Sequence, residues 1–372
     1  MPHALVRSPL KIGLLLVVAL TSCASSATIT THSTATVTAT ATSTPMLDQR
    51  IDAYIDHLSQ AQQIGQLLMV AVYADNFTAD LNTALQQWHI ANAIAFTNYG
   101  GGPLKPKTAA EMQRLIHDLQ SHADFPLLVA TDEEGGNVDR LAPYYGATPS
   151  PSALTATGNP QRAFDQAKLD AQRLHDLGIN TDFAPLADVY QGGGALDPTR
   201  TFGTTVNQVT QYAGAFLDGL QQKGITGTLK HWPDLGAANA NPDFALPMLS
   251  HTQAQLNATD FASFRNLLSH HPGMIMATHV IVPAYDAHYP ASLSPTLVDG
   301  VLRGQLGYQG VVVTDAMDGN SIVQFMQQQG YADPAQGIAE ASVLALLAGN
   351  DIVECPIEQD RLAATVAAVT QA

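Results

Sequence analysis

The sequence predicts an α/β protein, a single (β/α)8 barrel of the TIM type occupying residues 46–372. Short apolar runs alternate with longer amphipathic stretches throughout that span, and the runs number eight. They lack the strict in–out alternation of a half-exposed sheet, as expected of parallel strands buried on both faces. An open doubly wound sheet would use fewer strands and place a phosphate loop after the first, and no such loop is present.

In chain order the expected strands are Leu67–Val72, Ala93–Thr97, Leu127–Asp132, Ile179–Pro185, Gly227–Trp232, Met274–Val280, Gly310–Asp315 and Asp351–Pro356. Between them Lys107–His122, Gln161–Leu177, Asn207–Lys223, Thr252–Ser269 and Pro334–Leu347 read as helices. In the third, Val209, Tyr212, Ala213, Phe216 and Leu220 recur along one helical face. The segment Asn98–Pro103, with Gly100, Gly101 and Gly102, has neither the spacing nor the Lys-Ser/Thr pair of a nucleotide loop and reads as a turn.

Residues 1–45 stand outside the fold. Arg7 and Lys11 accompany the apolar run Ile12–Leu20, which fits the core of a signal peptide over residues 1–22 and falls short of the ~20 residues needed to span a bilayer. Leu20-Thr21-Ser22-Cys23 resembles a bacterial lipoprotein box, in which the cysteine is lipidated. The plainer reading is a secretory signal with a chance cysteine. Beyond Cys23 the chain is almost entirely Ser, Thr and Ala, so residues 23–45 read as a flexible tether. The barrel is then expected outside the cytoplasm, lipid-anchored to the cell membrane or secreted.

Composition narrows the chemistry. Sixteen Lys+Arg against 32 Asp+Glu give a formal charge of −16, too few cations for a nucleic-acid face. Apolar residues at 46 % support a packed core. Two cysteines, Cys23 and Cys355, cannot build a disulfide scaffold or a cysteine zinc site, and Cys355 reads as an inert core thiol. There is no GxSxG turn and no HExxH, and the 13 histidines are dispersed. No metal or other cofactor is expected, and the chain is expected to act as a monomer.

In a barrel the carboxyl ends of the strands converge on one face. Those ends carry Asp132, then Asp182 and Asp188, then Lys230 and His231, then His279, then Asp315. One such residue is as well explained by a helix cap or a buried bridge, but five strands ending in titratable groups favour a site. Carboxylates with a Lys-His pair on an acidic protein suit a neutral, hydroxyl-rich ligand such as a sugar. Glycoside cleavage also needs a carboxylate beside an oxocarbenium-like transition state.

Six strings then become specific. Thr131-Asp132-Glu133-Glu134-Gly135-Gly136-Asn137-Val138-Asp139-Arg140-Leu141, Gly178–Pro185 with Asp188-Val189, Thr199-Arg200-Thr201-Phe202-Gly203, Lys230-His231-Trp232-Pro233, Met276–Val280 and Gly310–Met317 occur in order. Together they resemble glycoside hydrolase family 3, and the length resembles its single-domain bacterial β-N-acetylglucosaminidases, many of which trim cell-wall fragments. The resemblance implies that Asp315 is the nucleophile of a retaining mechanism. It implies that Asp132, Arg140, Arg200, Lys230 and His231 contact the sugar, with Asp188 and His279 positioning neighbours. A buried ion-pair network at the barrel mouth is the alternative for the five contacts, and a helix cap is the alternative for Asp315.

One loop departs from that pattern. The subgroup carries a Gly-His-Gly element and then a D-x-H dyad whose histidine is general acid/base. Here Leu235 replaces the first histidine, Asn241 falls on the dyad's aspartate and Asp243 on its histidine. Relatives with a second domain take a glutamate from it, and no second domain is expected after strand eight. Two readings compete: Asp243 is itself the acid/base, its pKa raised by burial, or the barrel binds a wall sugar without cleaving it. In a third, the tether matters most and the barrel docks a surface assembly to the wall.

Overall fold

The computed structural model describes residues 47–97, 102–355 and 359–372. The expected signal peptide, tether and lipidated Cys23 lie outside the described residues, as do Asn98, Gly100, Gly101, Pro356 and the side chain of Cys355. Helix Leu47–Asp56 belongs to an N-terminal unit that ends at Ser59, and a second unit runs from Gln60 to Ala372.

That second unit is built on eight parallel strands: β1 Leu68–Val72, β2 Asn92–Ala95, β3 Leu128–Thr131, β4 Thr181–Asp182, β5 Thr226–Trp232, β6 Met274–Ala277, β7 Val311–Thr314 and β8 Val353–Cys355. Each pairs with its sequence neighbour, and β8 returns to β1. A parallel bridge between Val313 and Ile352, with Thr314 N donating to Ile352 O at 3.0 Å, joins β7 to β8 and closes the ring. All eight expected strands are present, with ends that differ by a few residues. The fourth is the shortest because Pro185 has no N–H for the ladder. The chain nevertheless stays in register past it, with Ala187 N donating to Lys230 O at 2.6 Å.

Two apolar layers explain why the strands lack alternation. Met69, Ile94, Ala130, Phe183, Met274, Met276 and Val313 pack inside the ring. Leu68, Val70, Val129, Leu229 and Ile275 face outward into a larger core shared with the helices. Polar side chains are thereby left to the rim at the carboxyl ends of the strands.

The helices begin and end where local chemistry dictates. Thr108 and Glu111 form a capping box at the start of Ala109–His122, and Gly178, in the left-handed region at φ 86°, ends Gln161–Leu177. The expected helix Thr252–Ser269 is broken at Thr259 (φ −126°, ψ −70°) into Gln253–Ala258 and Asp260–Leu267. The break lies beside Asp260, whose buried carboxylate meets His251 Nδ1 at 2.9 Å. No helix among the described residues is long and apolar enough to cross a membrane.

Candidate active site

The mouth of the barrel holds a cavity of about 450 Å³, within the size range of small-ligand sites. Asp132, Arg140, Arg200, Lys230 and His231 all line it, and so do Asp243 and Asp315. Residues separated by up to 183 positions in sequence are thus gathered by the ring, 315 − 132 being that span.

A short hairpin places the first group. Immediately after β3 the chain forms two-stranded Glu133–Gly135 and Val138–Asp139, turning at Gly135 and Gly136 with φ 83° and 64°. A Cβ at Gly136 would sit 2.5 Å from the Ser150 Cβ, so the close approach as well as the φ requires glycine. Along the hairpin the two acids serve different surroundings. Glu133 is buried behind it and accepts from Leu141 N at 2.9 Å, while Glu134 lines the cavity.

Glu134 is the hub of an ion network. Arg200 grips it in a two-pronged contact, Nε to Oε2 and Nη2 to Oε1 each at 2.8 Å. Lys230 Nζ lies 2.7 Å from Glu134 Oε1 and donates to Asp132 Oδ1 at 2.8 Å. Arg140 Nη2 adds a longer contact to Asp132 at 3.9 Å. Burial works against the Glu134 charge, but Arg200 and then Lys230 hold its pKa well below the ordinary glutamate value. For Lys230, burial is likewise opposed by Asp132 and then Glu134, which keep its pKa above the ordinary lysine value.

Asp188 and His279 bond to neighbouring groups, and neither is among the lining residues. Asp188 accepts from His231 Nδ1 at 2.8 Å and His231 N at 3.1 Å, and from Leu235 N at 2.7 Å, so one buried carboxylate orients the imidazole and anchors the loop. His279 lies between Ser292 Oγ at 2.7 Å and Ala316 O at 3.0 Å, and burial lowers its pKa. It therefore fixes the backbone next to Asp315. Asp182 does not join the mouth: it is fully buried, and its Oδ1 accepts from Glu133 N at 2.9 Å, supporting the hairpin from behind.

Asp315 itself closes β7. Thr278 Oγ1 donates to its Oδ2 at 2.7 Å and Ala316 N to its Oδ1 at 2.9 Å. The next helix, Asn320–Gln328, has Gly319 at its N-cap, so Asp315 is not that helix's cap. Burial opposes ionisation here, yet His279 and then His231, with the two hydrogen bonds, bring the pKa below the ordinary aspartate value.

The departing loop is ordered around the site. Asp234 Oδ2 accepts from Val189 N at 2.9 Å, and Asn241 Oδ1 accepts from Asp243 N at 2.8 Å. Asn320 N donates to Asp243 O at 3.2 Å and Ser321 N to Pro242 O at 3.1 Å, pinning the loop to the helix after β7. Asp243 stands at the rim with its surface open to solvent, but protein crowds its carboxyl. Burial first, and then the charge of Asp315, raise its pKa above the ordinary aspartate value.

Glu134, Thr278 and Glu354 are site residues that sequence reading passes over. The signal for Glu134 is its place in the Asp132–Gly136 string, where two adjacent acids point to opposite sides of an extended segment. Thr278, next to His279, carries no distinguishing pattern.

Comparison with known proteins agrees with this architecture. A family model described as the glycosyl hydrolase family 3 N-terminal domain matches residues 60–372. A β-hexosaminidase, LpqI, of Mycobacterium tuberculosis is 31 % identical over 338 residues, covering 82 % of this chain and 76 % of the relative. A protein of Arthroderma benhamiae described as an uncharacterised secreted glycosyl hydrolase is 31 % identical over 298 residues, 79 % of this chain and 81 % of its own. The crystal structure of a β-N-acetylhexosaminidase from Beutenbergia cavernae superposes with a TM-score of 0.72 at 29 % identity, covering 84 % of this chain and 92 % of that one.

Removing the network's hub takes the two-pronged partner from Arg200 and one of two carboxylates from Lys230. Glu134→Ala is expected to lower unfolding free energy at pH 7 by about 3 kcal/mol, the low end for breaking a buried pair because Lys230 keeps Asp132, measured by urea denaturation. Because the folded-state pKa of Glu134 is depressed, this contribution is present above the unfolded glutamate pKa and fades as the pH falls toward the folded one. The gap between wild type and variant should therefore narrow only below about pH 4.

Proposed function

The chain belongs to glycosyl hydrolase family 3, and from that premise we propose that it releases terminal β-linked N-acetylhexosamine from cell-wall or chitin-type saccharides by a retaining mechanism. The observation that carries the reading is a pair of carboxyl groups in one cavity whose pKa values are pushed apart, Asp315 down and Asp243 up. Such a split supports base-like and acid-like roles for the two groups in a glycosidase.

In this scheme the Asp315 carboxylate attacks the anomeric carbon while Asp243 gives its proton to the departing glycosidic oxygen. The Asp243 carboxylate then takes a proton from the water that cleaves the glycosyl ester, and Asp315 is regenerated. Asp132, Arg140, Arg200, Lys230 and His231 hold the sugar, and the Glu134 hub fixes three of those five groups through direct or shared contacts. Asn241 supports Asp243 through its backbone amide, a different attachment from the aspartate–histidine dyad of the subgroup. The competing reading is a catalytically impaired, lipid-anchored carbohydrate-binding module. What favours it is that no donor among the described residues holds the Asp243 carboxyl in place.

We place the barrel outside the cytoplasm as a monomer, held at the membrane by a lipid on Cys23. The residue pattern around Cys23 and the secreted relative support that location.

Two sets of measurements check these readings. Wild type should hydrolyse both aryl and disaccharide N-acetylglucosaminides, and Asp315→Asn neither. Asp243→Ala should lose roughly 10²–10⁴-fold on the disaccharide while retaining most activity on the aryl substrate, whose phenolate leaves with little protonation. The disaccharide kcat/KM should fall as pH rises through the raised pKa of Asp243, and should fall at the acid end only below the ordinary aspartate range, where Asp315 takes up a proton. In Asp243→Ala the fall at rising pH should vanish. Saturable sugar binding without turnover by wild type would favour the binding module. Separately, Cys23→Ser should move the protein from the membrane fraction to the soluble fraction on immunoblots, and unchanged retention would remove the lipid anchor.

A further inference from the structure

Strand β8 brings to the cavity a group that the two-carboxylate mechanism leaves unused. Glu354 is 5 % exposed, and it lines the same cavity as Asp132, Lys230 and Asp315. Its backbone is fixed on both sides: the amide donates to Thr314 Oγ1 at 3.0 Å, and the carbonyl accepts from Met317 N at 3.2 Å. The carboxyl, in contrast, meets no hydrogen-bond donor among the described residues. Its strand neighbour Val353 is apolar and fully buried. An apolar residue at position 354 would spare the fold the cost of desolvating a carboxyl that no donor among the described residues meets. The side chain works against stability where it stands, as groups selected for binding do.

We propose that Glu354 is a sugar-contacting residue that hydrogen-bonds a hydroxyl on the deep edge of the terminal sugar and so helps set which sugars this pocket accepts. The proposal rests on the glycosidase reading for the identity of the ligand. The charged groups facing Glu354 come from three elements: Asp132 after β3, Asp315 and Asp318 after β7, and Lys230 on β5. Burial, followed by Asp132, Asp315 and Asp318, raises its pKa well above the ordinary glutamate value, and Lys230 offsets only part of this. These surroundings favour the neutral form, which donates to a hydroxyl oxygen as well as accepting, a role that the Asp132 carboxylate, paired with Lys230, does not fill. Ionisation at higher pH would remove that donor and add a negative charge near Asp315.

The test compares full-length wild type, Glu354→Gln and Glu354→Leu in three assays. These are hydrolysis of 4-nitrophenyl N-acetyl-β-D-glucosaminide, calorimetric binding of N-acetylglucosamine, and thermal denaturation. Glu354→Leu should raise KM and Kd about tenfold or more with kcat within about threefold, the pattern of a contact made equally in ground and transition states. Its Tm should rise, because a carboxyl whose charge burial disfavours has gone. Glu354→Gln, which keeps a neutral donor, should hold Kd within about threefold of wild type and abolish the wild-type rise of KM with increasing pH. Unchanged Kd in Glu354→Leu overturns the proposal, and so does a fall in Tm that Glu354→Gln fails to rescue, which marks a structural role. Turnover by wild type reports on the glycosidase assignment independently. If turnover is absent but N-acetylglucosamine binds, the Kd comparison still decides the role of Glu354, and absence of both overturns it.

Discussion

A half-buried aspartate whose surroundings lower its pKa is the constraint around which the barrel mouth is organised. Asp315 sits at the end of β7 in surroundings that favour its neutral form, and its charge survives because Thr278 and Ala316 donate to it and two imidazoles lie near. That charge then acts on what surrounds it. It helps raise the pKa of Asp243 on the rim and of Glu354 on β8, so that carboxyl groups in one cavity are shifted in opposite directions. A rigid ring of strands matters here because a shift of about 1 Å would weaken each hydrogen bond that keeps the charge in place.

The remaining charges are balanced by a separate device. Glu134 joins Arg200 to Lys230, and Lys230 reaches on to Asp132, so cations that would be costly singly are held as a connected set. The ion-pair network, one of the two readings the sequence leaves open for these residues, is present in the structure. The residues that neutralise each other also line the cavity.

Much of this is legible in the residues. Eight strands can be read because both layers of the core demand apolar side chains, and the helices Gln161–Leu177 and Pro334–Leu347 match the expected bounds, Gly178 ending the first and Asp333 capping the start of the second. The strand-end residues Asp132, Lys230, His231 and Asp315 are visible for the complementary reason, as charges terminating apolar runs. The break at Thr259 is not, since it accompanies a buried Asp260–His251 contact between residues whose meeting depends on tertiary packing. Asp182 is misassigned to the mouth by its sequence position, because a strand end does not tell on which side of a hairpin a carboxyl is buried. Glu354 escapes notice because an acid after Ile352 and Val353 at the end of the eighth run resembles the start of a loop. The loop carrying Asp243 can be aligned residue for residue, but only its contacts with Asn320 and Ser321 reveal that it is pinned over the cavity.

In the proposed mechanism the Asp315 carboxylate forms a bond to the anomeric carbon. That step is tested most directly by incubating the protein with a 5-fluoro-N-acetylglucosaminyl fluoride, whose ring fluorine slows breakdown of a glycosyl ester, and locating the adduct by mass spectrometry of proteolytic peptides. The account predicts one added sugar, on the peptide containing Asp315, and none in Asp315→Asn. An adduct on any other residue, or rapid hydrolysis of natural substrate by Asp315→Asn, would contradict it.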